Sequence, residues 1–68
     1  MADNVYKLVE IVGTSEDSFA KAVANGVERA SQSLRNLDWF EVTEMRGRIA
    51  KGRVAQYQVK IKVGFRLE

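Results

Sequence analysis

The chain has 68 residues and a net charge of +2, with no cysteine and no histidine. This length supports one domain, spanning residues 1–68, and so short a chain buries only roughly 60% of the surface its unfolded form exposes, which leaves a lone core marginal. The missing residue types exclude a disulfide framework, a zinc ribbon, a thiol redox motif and the commonest general base, so oligomerisation is the stabilising device left over.

The N-terminus, Met1-Ala2-Asp3-Asn4, is polar and lacks the basic and apolar regions of a signal peptide. No apolar run approaches the roughly 20 residues of a bilayer span. A cytoplasmic setting with no membrane partner is expected. Val5 to Val12 is β-branched and aliphatic, stops at Gly13, and reads as a first strand.

Thr14-Ser15-Glu16-Asp17 then has the character of a helix start, with a capping hydroxyl and two carboxylates for the positive end of the helix dipole. Phe19, Val23, Val27, Ala30, Leu34 and Leu37 recur at steps of three or four, which predicts one helix from about Ser15 to Asn36. Gly26 inside that stripe marks close packing against another backbone.

Phe40 to Ile49 reads as a second strand, Ala50-Lys51-Gly52-Arg53 as a turn, and the residues from Ala55 to Leu67 as a third strand. In the last of these, Ala55, Tyr57, Val59, Ile61, Val63, Phe65 and Leu67 alternate with polar residues and glycine, a period of two sustained over the whole run. The predicted fold is α+β, in the order β-α-β-β, a three-stranded antiparallel sheet packed on one long helix. The helix covers the face of Tyr57, Val59, Ile61 and Val63. The other face stays bare, and the long third strand is expected to present an open edge; other copies of the chain would cover part of this surface.

Catalysis finds no support. No base is available to activate the serines and threonines, and alternation along a strand sends Glu41 and Glu44 to opposite faces. No enzyme activity and no metal site are expected. Charge is unevenly placed: residues 1–45 carry four cations against eight carboxylates, and residues 46–68 carry seven cations against Glu68 alone. A basic half of this kind meets nucleic acid, a phosphorylated ligand, or the acidic half of another copy.

Trp39 is the residue that needs an explanation. It can be read as a core aromatic closing one end of the domain. Alternation argues otherwise, because Phe40 and Val42 take the helix side and leave Trp39 on the bare face with Glu41 and Thr43. A large indole there is covered by another chain or a ligand, or stays exposed. Gln58 falls on the same bare face, paired in space with Trp39. Its amide offers donor and acceptor together, suited to the edge of a heterocycle.

Several segments in series resemble the dodecins, small flavoproteins of the same β-α-β-β order. They are Val9-Glu10-Ile11-Val12-Gly13-Thr14-Ser15, Leu37-Asp38-Trp39-Phe40-Glu41-Val42, Arg46-Gly47, Tyr57-Gln58-Val59 and Lys62-Val63-Gly64-Phe65-Arg66-Leu67-Glu68. The resemblance implies a homododecamer with cubic symmetry that stores or sequesters riboflavin or FMN at two-fold axes and quenches its photochemistry. It places the stacking tryptophan at Trp39, the glutamine that bonds the pyrimidine side of the ring at Gln58, and an arginine near the flavin at Arg46. Some bacterial members also hold coenzyme A. Simple alternation sets Arg46 on the face opposite Trp39, so reaching the same flavin requires a bulge, a neighbouring subunit or the turn near Gly47. Two other readings compete: a small basic nucleic-acid-binding module, and a ligand-free assembly subunit.

Overall fold

The computed structural model describes residues 3–68; Met1 and Ala2, and with them part of the N-terminus on which the cytoplasmic expectation rests, lie outside the described residues. Four elements follow in chain order: β1 (Tyr6–Ser15), α1 (Phe19–Ser31), β2 (Leu37–Ala50) and β3 (Arg53–Arg66). The strands form one antiparallel sheet in the order β1-β3-β2, as the α+β reading expects. One detail differs. β3 lies in the middle, so the open edges belong to β1 and β2, because the strand with the longest apolar alternation earns the most burial from two paired neighbours.

The helix is shorter than its apolar stripe. Ser15 remains in β1, paired with Tyr57, and its hydroxyl accepts from the backbone N–H of Asp17 at 2.9 Å. That turn spends Glu16 and Asp17 ahead of the helix. Ser18 then caps α1 by accepting from Lys21 N–H at 3.0 Å. At the other end, the N–H groups of Ser33 and Leu34 both turn back to the Ala30 carbonyl. Asn36 takes a left-handed φ of 64°, which asparagine tolerates, and releases the chain into β2. Leu37 therefore belongs to the sheet and still packs on the core.

Ala50 and Arg53 pair across a two-residue turn in which Lys51 and Gly52 both have positive φ (54° and 74°). Consecutive left-handed residues make the turn whose twist matches a β-hairpin.

Helix and sheet meet most tightly where two glycines face each other. Gly26 packs against the Gly13 Cα, and a Cβ on Gly13 would run into the Ala22 carbonyl oxygen. Ala22, Val59, Ile61 and Val63 form the buried centre, with Val9, Ile11, Phe19, Val23 and Val27 around it. Phe19 meets Tyr57 edge-on at 4.9 Å between ring centroids.

This centre is small because α1 lies over β1 and β3 and leaves β2 beyond Leu37 exposed. Phe40, Val42 and Met45 point to the helix side yet remain 49%, 42% and 59% exposed. The radius of gyration, 14.1 Å, exceeds the about 11 Å of a compact domain of this length. A long hairpin carrying bare apolar side chains is the form of a subunit made to be covered by others.

Candidate functional site

Trp39 stands opposite Gly64 on the central strand, on the face away from α1. A Cβ on Gly64 would lie 2.5 Å from both Cε2 and Cζ2 of the indole and 2.8 Å from Cδ2. Three ring atoms at nearly one distance place the ring face over the glycine, so the absent side chain is the seat of the indole. From β1, Tyr6 meets Trp39 edge-on, with ring centroids 5.0 Å apart. The indole is thus supported below and on one side while remaining 43% exposed. It is a bare aromatic platform.

Arg46 and Gln58 come together elsewhere on the same face. They are direct cross-strand partners, and Arg46 Nε donates to Gln58 Oε1 at 2.8 Å. The Gln58 Nε2 donates in turn to Gln56 Oε1 at 2.8 Å, and Arg46 pairs with Glu44 at 3.2 Å. These contacts hold the Gln58 amide in one orientation, with a further donor and acceptor direction left over.

Two expectations from simple alternation are corrected here, both for one reason. The ladder slips by one residue between Val42 and Glu44, so Thr43 is an extra residue without a cross-strand partner. From this bulge to Arg48, the even-numbered residues of β2 share the face of Trp39. Arg46 therefore lies on that face and not opposite it. Glu41 and Glu44 likewise fall on one face, each set across from a lysine, Lys62 and Lys60.

A third correction concerns distance. Gln58 and Gly64, which mark the two groups on β3, are six residues apart, or about 20 Å along an extended strand. Within one chain Trp39 and Gln58 share a face and do not meet. Among the described residues, no group of three or more Asp, Glu, His or Cys side chains is placed to hold a metal ion, and no helix is long and apolar enough to cross a membrane.

A sequence model of the dodecin family matches residues 5–68. The chain belongs to the dodecin family. It is 55% identical over 64 residues to the dodecin of Thermus thermophilus, covering 94% of this chain and 93% of that one. The solved dodecin of Streptomyces coelicolor superposes with a TM-score of 0.96 at 57% identity, covering all of this chain and 97% of the other. The dodecin of Streptomyces davaonensis gives 0.96 at 51% identity, covering 98% of both chains. The calcium dodecin of Mycobacterium tuberculosis is more distant, at 32% identity and a TM-score of 0.82, covering 94% and 91%.

Of three further residues around these groups, Gly64, Tyr6 and Thr43, only the first carries a signal in the sequence. Gly64 is visible as a glycine interrupting an otherwise regular strand, the usual sign of close approach by another group. Tyr6 and Thr43 carry no such signal. The contact of Tyr6 depends on β1 lying beside β3, and the place of Thr43 depends on a register that only the paired strands define.

Proposed function

We propose that the chain is a subunit of a flavin-storing and flavin-sequestering homododecamer, with riboflavin or FMN stacked on Trp39. The observation that carries this reading is the indole seated on Gly64 and buttressed by Tyr6, with its outer face bare. A flat, apolar, pre-oriented ring of this kind favours an offset-stacked heterocycle. Membership of the dodecin family and the exposure of β2 beyond Leu37 support assembly.

The about 20 Å between the Trp39 and Gln58 groups supports a site completed between copies. Trp39 of one copy would stack the ring, while Gln58 of another, held by Arg46, would bond its pyrimidine edge. A two-fold axis repeats the arrangement and gives two such sites. A bound flavin supplies the photochemistry; the chain stacks it, excludes water from it and places an easily oxidised indole against it, which quenches the excited state. No turnover is involved. The basic side chains Arg46, Arg48 and Arg53 are suited to the phosphate of FMN or to the phosphates of coenzyme A as a second ligand. The setting is cytoplasmic, with neither nucleic acid nor membrane as partner.

Titration of FMN or riboflavin with the purified protein, followed by flavin emission alongside size exclusion, tests the reading. Strong quenching by a species near twelve chain masses is expected. Unchanged emission contradicts it, whatever the assembly size. Salt-sensitive binding of a single-stranded oligonucleotide by a monomer would instead establish the nucleic-acid module.

A further inference from the structure

The register from Trp39–Gly64 to Val42–Ile61, continued without interruption, would set Met45 opposite Gln58 and Arg46 opposite Tyr57 on the helix side. The observed pairs are Met45–Val59 and Arg46–Gln58. One inserted residue makes the difference. An inserted residue disrupts the local ladder, and at this place the Thr43 side chain supplies a bond of its own: Oγ1 donates to the Lys60 carbonyl oxygen at 3.1 Å. The hydroxyl thus ties the bulge to the central strand two positions away from Gln58.

We infer that Thr43 is a positioning residue of the flavin site, holding the bulge that turns Arg46 onto the ligand face and so fixes the Gln58 amide. This rests on the flavin reading above. Thr43 touches no ligand in this scheme. It acts through Arg46, and Trp39, on the other side of the bulge, keeps its own seat on Gly64.

A double-mutant cycle tests the inference. FMN affinity is measured by emission quenching for the parent, Thr43→Val, Arg46→Ala and the double variant, with size exclusion confirming assembly. In the parent, Arg46→Ala is expected to weaken binding about tenfold, the scale of a lost hydrogen bond to a charged group. In the Thr43→Val background the same change is expected to cost less than about threefold. Quenching at saturation stays at the parent level in both single variants. A crystal structure of ligand-free Thr43→Val provides a readout without flavin, with Arg46 Nε expected beyond hydrogen-bond reach of Gln58 Oε1. Thr43→Ser keeps the hydroxyl and should behave as the parent. Thr43→Ala removes it without crowding and takes the place of the valine variant should that fail to assemble. An equal cost of Arg46→Ala with and without the hydroxyl would overturn the inference. A parent that leaves FMN emission unchanged would overturn the flavin reading first, and the inference with it.

Discussion

The indole of Trp39 rests on Gly64, and a single methyl group there would come within 2.5 Å of two of its ring atoms. The platform therefore depends on an absence of side chain as much as on the tryptophan. Gly64→Ala forces the ring off the sheet. Flavin affinity is expected to fall by roughly ten- to a hundredfold, the scale of a lost aromatic stack. An emission titration checks this, with circular dichroism confirming that the strands persist.

Affinity and quenching should separate at Trp39 itself. Trp39→Phe keeps a flat ring on Gly64 and should retain much of the binding, yet phenylalanine is far harder to oxidise. Bound flavin in that variant is expected to regain most of its emission. Trp39→Ala should lose about 1–3 kcal/mol of binding as well. Equal quenching by the phenylalanine variant would show that the indole acts only by stacking.

The two facing glycines predict opposite signs. Gly13→Ala drives a Cβ into the Ala22 carbonyl oxygen, and about 3 kcal/mol of destabilisation is expected, the upper end for overpacking. At Gly26 the nearest atom to an added Cβ is 3.4 Å away, an ordinary contact. Gly26→Ala also gains about 1 kcal/mol of helix propensity and should be neutral or stabilising. Thermal unfolding of the two variants at one protein concentration compares them.

Concentration itself is a variable. A buried centre of Ala22, Val59, Ile61 and Val63 beside a bare hairpin implies that folding and assembly are linked. The unfolding midpoint is expected to fall on dilution. A midpoint constant over a hundredfold range of concentration would mean that the lone chain is stable.

Much of the fold was legible because its strongest signal is local. The alternation through Tyr57, Val59, Ile61 and Val63 locates β3 and its buried face, and Lys51-Gly52 locates the hairpin turn. The helix ends were not legible. Ser15 and Ser18 offer the same hydroxyl chemistry, and only the pairing of Ser15 with Tyr57 decides which one caps. Trp39 could be assigned to the open face by alternation, since no shift intervenes between it and Val42. Arg46 and Glu44 could not, because the bulge at Thr43 reverses the parity from Glu44 to Arg48, where a second shift restores it. The separation of Trp39 from Gln58 was hidden for a further reason: a shared face says nothing about position along a strand.

That separation makes the central claim testable by complementation. Trp39→Ala and Gln58→Leu, each deficient in flavin binding alone, are unfolded, mixed in equal parts and refolded together. If each site takes its tryptophan and its glutamine from different copies, random mixing restores both residues at about one quarter of the sites, and quenching of FMN returns to that extent. Refolded mixtures that assemble and recover no binding would contradict a site shared between copies.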